Sequence, residues 1–161
     1  YPQSVYNFKE MVRLDSVDRK ILMYLQDEGR MSHTELGKAI GMTQPAITER
    51  VRRMEDKGII KEYRAMVSRE TIGKQTMAYI WFRAANCKPF YEFCQSCREV
   101  IECHRVSGEY NHLLKVVTES LPELEALENK IVKFGKFATS IVLSSPIEFR
   151  SMIPALAGDD S

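Results

Sequence analysis

Apolar residues recur at helical spacing through the first third of the chain, then at a period near two, then in alternating blocks of both kinds. Val17, Ile21, Leu22 and Leu25 share one stripe of a helix predicted over residues 17–27, with Asp15 or Ser16 as its cap and Glu28-Gly29-Arg30 as its end. Ser32, with Glu35 three residues on, makes a capping box for a second helix, whose stripe is Leu36 and Ile40. Gly41 stands where a left-handed residue ends that helix. Thr43 is the expected cap of a third helix, and Pro45 sits in its first turn, where a missing N–H costs nothing. Ile47, Val51 and Met54 turn inward, while Pro45, Glu49, Arg52 and Arg53 occupy the opposite face with Gln44, Thr48 and Arg50 on its flanks. A short helix, a glycine turn and a helix with polar and cationic groups outward form a helix-turn-helix pattern, with residues 17–27 as its support.

After Lys57-Gly58 the period changes to about two. Residues 59–67 are read as a strand, or two short strands, forming a wing, and Ser68–Gly73 as a hinge. Beyond it the pattern predicts strands over 77–84, 100–106, 112–118 and 139–143, with helices over 89–98 and 122–134. Phe90, Phe93, Cys94 and Cys97 line the first of those helices, and Leu124, Leu127, Ile131 and Phe134 the second. The order β-α-β-β-α-β is the ferredoxin-like arrangement, with both helices on one sheet face. The other face looks apolar enough to need a second chain as cover. The expected class is therefore α+β. An arm occupies 1–13, a winged helix-turn-helix domain 14–67, a hinge 68–74, a ferredoxin-like effector and dimerisation domain 75–150, and a tail 151–161.

Composition narrows the function classes. The 161 residues carry a net charge of +1, so no bulk charge marks a nucleic-acid binder. Residues 15–64 hold ten Lys/Arg against nine Asp/Glu, and 65–161 hold eleven against twelve. The cationic signal is local, in Arg50, Arg52 and Arg53. No apolar run approaches the roughly 18 residues that span a bilayer, and Tyr1–Glu10 lacks a signal-peptide core. A cytoplasmic protein without membrane partners is expected. No Ser-His-Asp set, phosphate loop or metal-ligand pair of known spacing occurs, so neither catalysis, cofactor nor metal is expected. Cys94-x-x-Cys97 lacks a second knuckle and a βα active-site turn, and its sulfurs read as small buried hydrophobes. A cytosolic chain is not expected to keep disulfides. His104 and His112 lie in strand patterns and read as structural.

The candidate DNA-contacting set is Gln44, Pro45, Thr48, Glu49, Arg50, Arg52 and Arg53 on the third helix, the start of which would face base edges. Arg52 and Arg53 suit guanine or phosphate, and Glu49 suits cytosine or the orientation of an arginine. Arg50 has Glu49 and Asp56 as alternative partners. Ser32 and Thr43 at helix starts join this DNA-contacting set, and Lys61 with Arg64 on the wing suit phosphates.

Several stretches, in this order, resemble one family. These are Leu14-Asp15-x-x-Asp18-x-x-Ile21-Leu22, Leu36-Gly37, Thr48-Glu49-Arg50-Val51, Gly58-Ile59-Ile60-Lys61-x-Tyr63-x-Ala65 and Ser107-Gly108-Glu109-Tyr110-Asn111-His112-Leu113-Leu114. Over residues 14–150 the chain is similar to Lrp/AsnC transcription regulators. That resemblance implies a regulator of double-stranded DNA that forms a homodimer through its ferredoxin-like sheets, and tetramers or octamers beyond. It implies an amino acid or related small molecule as effector, held by Gly108, Glu109, Tyr110 and Asn111 with Thr139 and Ser140. The family's usual Asp is Asn111 here, a neutral acceptor, with Glu109 as the acidic alternative. The rival readings are an architectural DNA binder without effector and an enzyme similar to sirohaem decarboxylases, which share this architecture. His104, Arg105 and His112 would serve the latter.

Overall fold

The computed structural model describes residues 12–152, so most of the arm and the end of the tail lie outside the described residues. The chain divides into two compact units, residues 66–148 and the segments on either side of them.

The first unit holds three helices, α1 (Ser16–Asp27), α2 (His33–Ile40) and α3 (Gln44–Asp56). Local chemistry fixes their ends. Asp15 caps α1, and Asp15 and Asp18 close a capping box. Glu35 N–H donates to the Ser32 hydroxyl at 3.2 Å, and Ser32 N–H donates to Glu35 at 2.7 Å. Gly41 ends α2 in the left-handed region at φ 81°. Thr43 occupies the N-cap position of α3, but its hydroxyl makes no capping bond there. Ile21, Leu22, Leu36, Ile47, Val51 and Met54 form one core, with Val17, Leu25, Ile40, Ile59 and Ile60 packed against it. Residues 149–152 return to this unit: Met152 N–H donates to Gln26 Oε1 at 2.8 Å, and Gln26 Nε2 donates to the Met152 carbonyl at 2.9 Å.

The expected wing strand does not form among the described residues. Ile59 and Ile60 spend their N–H groups on the Met54 carbonyl, at 2.8 and 3.2 Å. Residues 61–67 then run exposed and without regular structure. Alternation alone makes no strand without a ladder partner.

The second unit is one antiparallel sheet of β1 (Thr76–Ala84), β2 (Val100–Arg105), β3 (His112–Thr118) and β4 (Gly135–Ile141), in the order β2-β3-β1-β4. Helices α4 (Cys87–Ser96) and α5 (Leu121–Ile131) cover one face, and a 3-10 turn, Val132–Phe134, leads into β4. This is the ferredoxin-like connectivity. β4 begins four residues earlier than the pattern predicts. Phe82 pairs with Phe137 and Ala84 with Gly135, so close pairing to the central strand extends it. The core comprises Ala78, Ile80, Phe82, Phe90, Leu114, Val116, Leu124, Leu127 and Ile131, with Phe82 and Phe90 stacked at 4.4 Å between ring centres.

The opposite sheet face is mixed rather than uniformly apolar. Tyr79, Trp81 and Leu113 lie near its centre, while Glu102, His104, Lys115, Arg83 and Lys136 flank them. Trp81 is 41% exposed there.

Candidate nucleic-acid interface and ligand loop

Helix α3 divides its residues sharply. Ile47, Val51 and Met54 are buried, while Gln44, Pro45, Glu49 and Arg52 are exposed. Thr48 lies between them and ties the surface together. Its hydroxyl donates to the Gln44 carbonyl at 3.0 Å and accepts from Gln44 Nε2 at 3.2 Å. His33 Nδ1 at the start of α2 stands 2.9 Å from the same hydroxyl. His33 was not among the sequence candidates; its one signal was its place next to the Ser32 cap. Ser32, Thr43 and Lys61 are exposed.

Arg50 and Arg53 depart from expectation. Arg50 Nη1 pairs with Asp15 at 2.6 Å and with Asp18 at 2.8 Å. Arg53 Nη2 reaches both oxygens of Asp18 at 2.8 Å. Asp18 is only 3% exposed, so the two guanidiniums turn toward α1 and neutralise a buried carboxylate. The partners expected for Arg50, Glu49 and Asp56, are not the ones it takes. Arg52 stays outward with its side chain 74% exposed, 4.0 Å from Asp56. Arg64 pairs with Glu62 at 2.8 Å.

The loop between β2 and β3 is held from behind. Asn111 N–H donates to the Phe82 carbonyl at 3.0 Å, and Val106 N–H donates to the Asn111 carbonyl at 3.1 Å. The Asn111 amide oxygen accepts from Ala84 N–H at 3.0 Å and lies 2.7 Å from His112 Nδ1. An amide oxygen only accepts, so Nδ1 carries the proton and His112 Nε2 accepts from the Tyr91 hydroxyl at 2.8 Å. His112 is fully buried, and burial, followed by the charge of Arg105, holds its pKa below the ordinary value. Asn111 therefore locks the loop to β1 instead of facing a ligand with its oxygen. Gly108, at φ 118° with open space around it, and Glu109 are exposed, and Tyr110 is half-buried.

Thr139 and Ser140 do not join this loop within one chain. Thr139 pairs with Ile80 and Ser140 with Tyr79, whereas Asn111 holds Ala84. Four residues of strand put about 13 Å between them. They also face opposite ways: the Thr139 hydroxyl donates to Glu128 of α5, and Ser140 is exposed.

The enzyme candidates diverge likewise. His104 sits opposite Leu113 and beside Glu102, at 3.0 Å, while Arg105 sits opposite His112. Adjacent strand positions face opposite sides of a sheet. No three His, Cys, Asp or Glu side chains gather to hold a metal among the described residues. No described helix is long and apolar enough to cross a membrane.

Known proteins place both halves. Residues 14–61 match a winged helix-turn-helix DNA-binding family, and residues 78–152 match the Lrp/AsnC ligand binding domain. The chain is 41% identical over 132 residues to an uncharacterized HTH-type transcriptional regulator, YezC, of Bacillus subtilis, covering 82% of this chain and 95% of the relative. It is 37% identical over 131 residues to the leucine-responsive regulatory protein of Rhizobium meliloti, covering 73% and 84%. Among solved structures, LrpC of B. subtilis aligns with a TM-score of 0.82 at 29% identity, covering 86% of this chain and 100% of that one. A feast or famine regulatory protein from M. tuberculosis, complexed with L-methionine, aligns with a TM-score of 0.82 at 27% identity, covering 88% and 100%.

Proposed function

The chain belongs to the Lrp/AsnC family of transcription regulators, and on that footing we propose that it binds operator DNA through α3 under the control of an amino acid. The observation that carries the reading is the outward face of α3, where Gln44, Pro45, Glu49 and Arg52 are exposed beside a buried apolar stripe. The contacting set is these four with Thr48, and with Ser32, Thr43 and Lys61 at phosphates. Arg50 and Arg53 position the helix and do not read bases. DNA binding belongs to residues 14–67, ligand binding and dimerisation to 75–150, and the segment 68–74 joins them.

The effector carboxylate meets the backbone of the Gly108–Tyr110 turn, as anions meet other glycine turns. Because Thr139 and Ser140 stand apart from that turn, a ligand touching both sets lies between copies of the chain. The mixed sheet face supplies the homodimer contact. The ligand shifts assembly by binding one state better than the other. The relatives are regulators, and the divergent directions of His104 and His112 favour regulation over a decarboxylase.

The test is DNA binding by fluorescence anisotropy across salt concentrations. Arg52→Ala is expected to weaken binding and, if it meets one phosphate, to reduce the log–log salt slope by about 0.9. Unchanged affinity would remove this face from the interface. Equal affinity for all fragments would favour the architectural reading over an operator-specific one.

A further inference from the structure

The chain has four cysteines, all free and all in the second unit. Spacing draws attention to Cys94 and Cys97, but the structure pairs them differently. The Cys97 thiol donates to Glu99 at 3.1 Å. Cys94 sits on the inward face of α4, buried in the core. Cys103 is exposed on β2, at the edge of the sheet, opposite buried Leu114. Cross-strand partners share a face, so Cys103 points to the helix layer, toward Cys94. Both thiols line one open cleft of about 330 Å³, with Tyr91, Gln95 and Val100. That space admits a molecule the size of a small hydroperoxide.

We propose that Cys94 and Cys103 are a hydroperoxide-responsive thiol pair that closes to a reversible disulfide between α4 and the edge strand β2. The Cys103 thiolate attacks the peroxide O–O bond. One oxygen stays on sulfur as a sulfenic acid, and the other leaves with a proton as water or an alcohol. Cys94 then loses its proton to solvent and attacks the sulfenic sulfur. The S–S bond forms as the S–O bond breaks, and the departing hydroxide takes a proton to become water. Two thiols and one hydroperoxide yield one disulfide, with both electrons passing to peroxide oxygen. A dithiol reductant reverses the change.

The division of labour follows from the surroundings. Hydrogen bonding from Cys94, then the charge of His104, lowers Cys103 to about 7, so it reacts as thiolate near neutrality. Hydrogen bonding to Cys103, then burial, raises Cys94 and keeps it protonated, so Cys103 meets the peroxide first; once Cys103 is a sulfenic acid it no longer holds the charge that raised Cys94. The cross-link would fix the strand that runs directly into the Val106–Asn111 loop.

The experiment treats the full, reduced chain with one equivalent of hydrogen peroxide, alkylates it, and maps peptides without reduction. A Cys94–Cys103 cross-link is expected, with loss of two of the four free thiols and recovery by dithiothreitol. Cys97→Ser and Cys87→Ser should keep it. Cys103→Ser should abolish it, and Cys94→Ser should leave a dimedone-reactive sulfenic acid on Cys103. If Cys94→Ser fails to fold, Cys103→Ser, at an exposed position, still decides. A cross-link through Cys97, or four alkylated thiols after peroxide, would overturn the proposal.

Discussion

Replacing Asp18 with Asn tests whether α3 is held on α1 by charge. The Asp18 carboxylate accepts from Arg50 at 2.8 Å and from Arg53 at 2.8 Å on each oxygen, and from Asp15 N–H at 3.4 Å. Asn keeps the shape and one acceptor but loses the charge. A hydrogen bond to a charged group contributes about 1.5–3 kcal/mol, and breaking a fully buried ion pair costs about 3–5 kcal/mol. Two features set the value toward the lower range. The Arg53 side chain is 44% exposed and keeps water, and Arg50 retains Asp15 at 2.6 Å. The expected loss is about 2–3 kcal/mol, a large share of what a unit this small can hold. Urea unfolding separates the units optically. Trp81, the only tryptophan, lies in β1, while far-UV ellipticity also follows α1, α2 and α3. In Asp18→Asn, the ellipticity midpoint should fall by more than about 1 M, with the tryptophan transition unmoved. A variant within about 0.5 kcal/mol of the parent would refute the reasoning and return Arg50 and Arg53 to the DNA-contacting set.

Gly37→Ala should lower the melting temperature, because its Cβ would meet the Met42 carbonyl oxygen at 2.6 Å; the overpacking costs about 1–3 kcal/mol against at most about 1 gained in helix propensity, and an unchanged or higher melting point would contradict this. The Arg50 guanidinium beside Asp15, and the Ser32 hydroxyl and N–H beside Glu35, hold both carboxyls below their ordinary range. Their stabilisation is complete above about pH 5, beyond both ordinary values, and is lost as the pH falls through the lower folded values, so ellipticity should drop on acidification less steeply in Asp15→Asn/Glu35→Gln than in the parent. Depressed His112 takes its proton later in the folded chain than in the unfolded one. Its stabilisation holds above about pH 6.5 and drains below it, so tryptophan-detected urea midpoints should fall from about pH 7.5 to 5.5; a flat profile, or the same slope in His112→Gln, would assign the effect elsewhere.

The features legible from sequence were those decided within a few residues. The Asp15 and Ser32 caps, Gly41 and the inward stripe of Ile47, Val51 and Met54 are local chemistry, and they place the first unit's helices. The alternating blocks of the second unit are equally local, and they suffice for its connectivity. Partners far along the chain were not legible. Arg50 and Arg53 meet an acid 32 and 35 residues earlier, and helix periodicity alone leaves them on the flank of the exposed face. One signal was present: Asp18 sits beside Val17 and one turn before Ile21 and Leu22, and an acid drawn into a core needs a cation. Asn111 likewise has a distant partner, because its oxygen serves Ala84 as well as His112, a demand visible only once β1 lies beside β3. The strand expected over 59–67 does not form, because alternation reports the shape of a strand and not the presence of a partner. The roles of Arg50, Arg53 and Asn111 follow from partners elsewhere in the fold. A polar residue that packing has already engaged makes a poor sensor of an outside ligand, since binding must first undo the bonds that hold the fold. The residues best placed to read DNA are therefore those that the core does not recruit, with Arg52 the most exposed arginine of α3.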